Sequence, residues 1–195
     1  RDQLAHSSDE VKELRGNLES VKREAMTDVL TDIGNRKYFD IKLRELADKA
    51  MTEGEPVSLL LFDVDNFKDF NDSHGHQLGD QVLRLVARTL KESVKGRDVV
   101  ARYGGEEFAV VLSGAGLEDA MKVGDGIRAL VAKRRIIRKS TGEQIAAITI
   151  SAGVARYRSG EPLSELIARS DAALYRAKDA GRNRVQAEMM PGRAA

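Results

Sequence analysis

The sequence predicts an α+β fold, a ferredoxin-like or palm-type β-sheet flanked by helices, with one extra helix and strand and a long helix in front. Three observations carry this. Val57–Phe62 is a run of strand formers of the kind that sheets bury on both faces. Val99-Val100 and Ala109–Leu112 are β-prone runs joined across Gly104-Gly105, which reads as a hairpin. Amphipathic helical stretches separate these from one another, so the core order is β-α-β-β-α-β.

Taken in order, residues 1–26 place Val11, Leu14, Leu18, Val21 and Ala25 at steps of three and four among charged residues. That is the seam of a short parallel coiled coil, read here ahead of a single amphipathic helix packed on its own domain. Residues 27–187 form the folded domain. Helix 35–50 puts Phe39, Leu43, Leu46, Ala47 and Ala50 on one side, and strand 57–62 follows. Residues 71–80 read as a polar loop with Asp80 as helix N-cap, opening helix 80–94. After the hairpin come helix 117–133, strand 146–154, a helix from Pro162 to about Ala180 and a short last strand at 184–186. Residues 188–195 have no periodicity and read as a loose tail.

Composition narrows the function. The 195 residues are 42% apolar and 32% charged, with 32 basic against 31 acidic side chains, so no net field favours nucleic acid or an anionic membrane. The absence of cysteine excludes disulfide and thiol chemistry and fits the cytoplasm. With three histidines, a structural zinc site is disfavoured. There is no signal peptide and no apolar run long enough to span a bilayer, so this segment makes no membrane contact. A first residue other than Met is expected of a fragment whose parent carries further domains, membrane spans included.

The chemistry concentrates at three places. Strand 57–62 leads into Asp63-Val64-Asp65, and alternation puts the two carboxylates on one face. The hairpin tip carries Glu106-Glu107, where two adjacent negative charges beside apolar strands need a cation or a donor. Asp63 and Glu106 on adjacent strand ends would seat a hard divalent cation. Asn71 and Asp80 have the donors and acceptors to read a purine, since a carboxylate accepts from guanine's ring N–H and exocyclic amine. Lys178 and Arg182, four residues apart, would grip phosphates from one face if the helix persists, while Gly181 can instead end it.

In this order the motifs resemble the GGDEF family of diguanylate cyclases. The resemblance rests on Asp28-Val29-Leu30-Thr31 with Asn35-Arg36, on Asp63 through Lys68 with Asn71-Asp72 and Gly75-His76 to Gly79-Asp80, and on Arg102 through Phe108 in the Gly-Gly-Glu-Glu-Phe form. Ala173-Leu174-Tyr175, Ala177-Lys178 and Gly181-Arg182-Asn183 complete it. It implies condensation of two GTP into cyclic di-GMP and two pyrophosphates. By the same resemblance Asp63, the Val64 carbonyl and Glu106 hold Mg2+, for which Mn2+ can substitute. Glu106 or Glu107 helps deprotonate the ribose 3′-hydroxyl. Asn71 and Asp80 read guanine, Phe67 and His76 line the nucleotide site, and Lys68, Lys178 and Arg182 hold phosphates. One GTP per protomer requires a homodimer, which the N-terminal helix would supply while relaying a signal from an upstream sensor domain.

Two departures from the family pattern stand out. Asp32-Ile33 occupies the place of a frequent Gly-Leu, and the product-inhibition sequence Arg-x-x-Asp is Lys95-Gly96-Arg97-Asp98. Lysine lacks the planar fork of arginine, so weak product inhibition is expected. A catalytically silent nucleotide-binding domain, or a palm-type transferase acting on another base, are the competing readings. The intact set of site residues favours activity, and Asn71 with Asp80 favours guanine.

Overall fold

The central strand β1 (Val57–Val64) is buried along its whole length because helices cover both faces of the sheet it runs through. The computed structural model describes residues 2–137, 142, 144–145 and 147–189, so most of the expected tail lies outside the described residues. Before β1 come α1 (Asp2–Met26) and α2 (Arg36–Glu53). After it come α3 (Phe67–His74), α4 (His76–Ser93), β2 (Val99–Arg102), β3 (Glu107–Ser113) and α5 (Leu117–Lys133). The chain then forms β4 (Ile136–Ile137), β5 (Gln144–Ile145), β6 (Ile150–Arg156), α6 (Leu163–Asp179) and β7 (Val185–Ala187).

The five-stranded sheet has the order β2-β3-β1-β6-β7, antiparallel except for the parallel pair β6–β7. Its first four strands have the strand order of the expected ferredoxin-like core, with β7 as the extra strand. Alternation along β1 divides the interior. Leu60, Phe62 and Val64 pack toward Val82, Val86 and Leu90 of α4 and Ile127 of α5. Val57, Leu59 and Leu61 pack toward Phe39 and Leu43 of α2 and Leu166 and Leu174 of α6. Gly153 lets α6 rest directly on β6, since a Cβ there would strike the backbone at Ser170 and Leu174. The Ser170 hydroxyl donates to the Gly153 carbonyl at 2.9 Å across this contact.

Several boundaries differ from the sequence reading. Residues 71–80 are not a loop: α3 runs to His74, Gly75 turns the chain at φ 83°, and α4 begins at His76. Asp80 therefore sits within α4 rather than at its N-cap. The polarity that suggested a loop belongs to helical faces turned toward a cleft. Strand 146–154 is displaced to β6, because its register with β1 runs from Ile150 against Val64 to Arg156 against Ser58. Gln144–Ile145 pairs instead with Ile136–Ile137 in a separate two-stranded ribbon. The first residue assigned to the tail, Glu188, is only 7% exposed. Its carboxylate accepts from the Arg156 N–H at 2.8 Å and from Arg158 Nη2 at 2.7 Å, and it also pairs with Arg169.

Candidate active site

The acidic hairpin turn and the end of β1 meet at one rim of the sheet. Asp63 pairs with Glu107 across β1–β3, and the Val64 N–H donates to the Glu106 carbonyl at 3.3 Å. The turn between β2 and β3 is closed by Tyr103 and Gly104 N–H groups donating to the Glu107 carbonyl at 2.8 and 3.2 Å. Gly104 leaves room for the Glu107 carboxylate, which a side chain there would push aside. The sequence expectation that Asp63 and Glu106 lie on neighbouring strand ends matches this geometry.

The electrostatics follow from crowding. Burial raises the Asp63 carboxyl above its ordinary range; a hydrogen bond and charge from Lys178 oppose this, while Glu107 and Asp65 add to it. Glu106 is also raised, by burial first and then by the charge of Asp63. Among the described residues no three Asp, Glu, His or Cys side chains form a ready-made metal cage. A hard divalent ion that keeps water and phosphate oxygens needs only one or two carboxylates. Two acids whose charge is only partly matched by Lys178 fit such an ion.

The cationic residues are placed differently from one another. Lys178 reaches back from the last turn of α6 to Asp63 Oδ2 at 2.8 Å. Arg182 does not share its helical face, because α6 ends at Asp179 and Gly181, Arg182 and Asn183 all have positive φ. Gly181 therefore acts as the helix stop that its position suggested.

Beside the acids lies an open cleft of about 510 Å3, and among the residues lining it are Phe67, Lys68, Asn71, His76, Asp80 and Glu106. The helices explain this convergence. Phe67 and Asn71 are one turn apart on α3, as are His76 and Asp80 on α4. Asn71 Oδ1 is buried without a hydrogen-bond partner, and Gly79 is the close neighbour that admits it, since a Cβ there would overlap this oxygen. An unpartnered acceptor buried in the wall of this cleft would gain a partner once rotation of the Asn71 amide turns it toward an incoming N–H donor. His74, by contrast, tilts against Phe70 with ring centroids 4.7 Å apart.

Lys95 and Asp98 stand elsewhere, lining a separate cavity of about 560 Å3 between the end of α1 and the end of α4. Asp98 closes the α4–β2 turn, accepting from the Lys95 N–H at 2.9 Å and the Ser113 N–H at 3.0 Å. Asp32, at the Gly-Leu departure, has φ 54°, a left-handed conformation that glycine adopts freely and Asp tolerates. Its carbonyl accepts from Lys91 Nζ at 3.3 Å.

Two contributors had no role in the sequence reading. Arg102 donates to the Gly105 carbonyl through Nη2 at 2.6 Å and pairs with Asp28 at 3.3 Å, so it holds the hairpin turn from behind. Asp65 accepts from the hydroxyls of Thr149 and Ser151 at 2.6 and 2.7 Å. Position within the hairpin signature could have flagged Arg102. Nothing in the sequence ties Asp65 to residues more than eighty positions away.

The family model described as "Diguanylate cyclase, GGDEF domain" matches residues 25–184. The chain is 40% identical over 173 residues to the response regulator PleD of Caulobacter vibrioides, covering 88% of this chain and 38% of that protein. It is 41% identical over 175 residues to the diguanylate cyclase DosC of Escherichia coli, covering 89% of this chain and 37% of DosC. The chain thus spans less than two-fifths of the length of these relatives. Among solved structures it resembles the coiled coil and GGDEF domain of DgcB from Caulobacter crescentus in complex with c-di-GMP, with TM-score 0.89 and 42% identity over 95% of this chain and 97% of that one. It also resembles the diguanylate cyclase SiaD of Pseudomonas aeruginosa, solved with its activator SiaC, with TM-score 0.82 and 33% identity over 95% of this chain and 71% of SiaD.

Proposed function

This chain belongs to the GGDEF family of diguanylate cyclases, and we propose that it condenses two GTP into cyclic di-GMP with release of two pyrophosphates. The observation that supports this best is the meeting of Asp63 and Glu106 at one rim beside a cleft holding the unpartnered Asn71 acceptor.

Asp63, the Val64 carbonyl and Glu106 would hold Mg2+ (or Mn2+), which when bound supplies charge neutralisation and acidifies the attacking hydroxyl. Asn71 Oδ1 accepts from guanine and Asp80 accepts from its N–H edge, while Phe67 and His76 wall the cleft. Lys68, Lys178 and Arg182 neutralise the triphosphate, Lys178 exchanging its Asp63 partner for phosphate oxygens. A carboxylate of Glu106 or Glu107 takes the proton of the ribose 3′-hydroxyl. The freed oxygen bonds to the α-phosphorus of the second GTP, and the bond to pyrophosphate breaks. Repeating the step with the roles exchanged closes the ring.

Because each protomer presents one such half-site, the reaction needs two copies. Residues 1–26 are read as the pairing stalk of a homodimer and 27–187 as the catalytic domain. Leu14, Leu18 and Val21 stand 67%, 55% and 61% exposed on α1, which supports a second α1 as the covering surface. An upstream sensor in the longer protein and a cytoplasmic location are part of this reading. No helix among the described residues is long and apolar enough to cross a membrane. Product inhibition is weak in this proposal, since Lys95 lacks the guanidinium fork and Asp98 is committed to its turn.

The test incubates the purified chain with Mg2+ and GTP, or ATP, and separates the products by chromatography. Cyclic di-GMP from GTP alone upholds the proposal. No cyclic dinucleotide from a dimeric sample refutes it.

A further inference from the structure

Asp65 carries the same chemistry as Asp63, lies two residues away and is 6% exposed, yet among the described residues it has no ion pair like that of Asp63 with Lys178. Both oxygens are already occupied. Oδ1 accepts from the Ser151 hydroxyl at 2.7 Å, and Oδ2 accepts from the Thr149 hydroxyl at 2.6 Å and from the Asn183 N–H at 3.0 Å. The backbone reinforces the link, since the Asp65 N–H donates to the Thr149 carbonyl at 3.0 Å. Three protein donors on one carboxylate, about three-quarters of its acceptor capacity, suit an anchor.

The anchored segment is unusual. Gly181, Arg182 and Asn183 follow one another at φ 108°, 59° and 46°. Two consecutive non-glycine residues in the left-handed region persist only where the surroundings hold them. Here Asn183 is gripped twice, through its N–H by Asp65 and through Oδ1 by Arg128 Nη1 at 3.0 Å. The Arg182 N–H donates to the Ala177 carbonyl at 3.0 Å, which ties the segment back to α6. Among the described residues the Arg182 guanidinium itself makes no hydrogen bond or ion pair, and Arg182 is exposed. The backbone around it is fixed and its charge is left free.

We propose that Asp65 is the positioning residue of this turn: its carboxylate locks 181–183 in the left-handed conformation that presents Arg182 to the triphosphate of the nucleotide. The inference rests on the reading of Arg182 as a phosphate contact. What the turn requires of Asp65 is acceptor geometry rather than charge. An asparagine there can accept from the Asn183 N–H and the Thr149 hydroxyl through its carbonyl, and its NH2 can donate to the Ser151 hydroxyl, whose hydrogen rotates. A metal ligand or a proton acceptor at this position would not survive that exchange.

The experiment titrates the purified chain by calorimetry with α,β-methylene-GTP, which cannot release pyrophosphate, and with GMP. Asp65→Ala is expected to weaken the triphosphate analogue about tenfold, as losing one charge-assisted phosphate contact would, and to leave GMP affinity unchanged. Asp65→Asn should stay within about twofold of the wild type. Adding Asp65→Ala to Arg182→Ala should cost nothing further, because the two changes remove one contact. Equal losses for the analogue and GMP, an Asp65→Asn as damaging as Asp65→Ala, or additive losses in the double variant would each overturn the assignment. If Asp65→Ala shows no cooperative melt, Asp65→Val, which fills more of the site and offers no acceptor, carries the same comparison. A wild type that shows this binding pattern yet makes no cyclic dinucleotide refutes the proposed activity and upholds the anchor.

Discussion

Glu106 meets opposing demands: a cation and a hydroxyl proton need its charge, while burial and Asp63 disfavour that charge. A carboxyl raised in the folded state costs stability at neutral pH, and the cost is relieved as pH falls through the raised value. Glu106→Gln is therefore expected to raise the Tm of the metal-free chain at pH 7, with the gain over wild type shrinking as pH drops toward the ordinary carboxylate range. The same variant should lower kcat by about 10²- to 10³-fold. Parallel rate–pH profiles of Glu106→Gln and Glu107→Gln would separate the two acids, whose side chains differ in setting: Glu106 lines the cleft, and Glu107 lies over Gly104. At Asn71, replacement by Ala removes the unpartnered acceptor. KM for GTP should rise by about 10- to 100-fold with a smaller change in kcat, measured by initial rates.

At the scale of elements, the β2–β3 hairpin is held at its turn by a chain of contacts from Thr31 through Asp28 and Arg102 to the Gly105 carbonyl. Burial pushes the Asp28 carboxyl up, but hydrogen bonds from Thr31 and the Arg102 charge outweigh it, and the net shift is downward. A depressed folded-state value stabilises above the ordinary carboxylate range, and the benefit is lost as pH falls from that range through the folded value. Asp28→Asn should thus lower Tm at pH 7 by roughly 2–4 °C, equivalent to about 1 kcal/mol. That gap closes on acidification, and thermal melts across pH check it. The clasp joins the segment that follows α1 to the turn that carries Glu106. Asn35 adds a second tie, capping α2 through the Tyr38 N–H at 3.0 Å and donating to the Ala25 carbonyl of α1 at 2.9 Å.

For the whole molecule, the proposed reaction requires two copies while nucleotide binding requires one. Leu14→Asp with Leu18→Asp places like charges along the exposed stripe of α1. Sedimentation should then show monomers, and turnover per protomer should fall by about tenfold or more at micromolar protein, while α,β-methylene-GTP binds each protomer as before. In wild-type protein, product should accumulate without strong feedback. Lys95→Arg restores a bidentate fork beside Asp98 and is expected to tighten cyclic di-GMP binding by about tenfold, read by calorimetry. Submicromolar product binding by the unmodified chain would contradict this.

Periodicity and residue type sufficed for the strand core, for α5 at 117–133 and for the acid pair at the hairpin, because those signals act over a few residues. The spaced motifs likewise carried the family. What they could not show was set by contacts between distant segments. The α3–α4 corner looked like a loop because its polar faces point into a cleft, and a cleft exists only once α3, α4 and the hairpin are assembled. β6 begins at Ile150 because β1 fixes its register, although Ile148 and Thr149 just before it are also strand formers. Asp65 looked like a twin of Asp63 until folding brought Thr149, Ser151 and Asn183 to its oxygens. The sequence by itself determined which chemical groups this protein carries and on which local elements. Only the tertiary structure decided which of them meet, since hydrogen bonds and charges act across a few ångströms of space, whatever their separation along the chain.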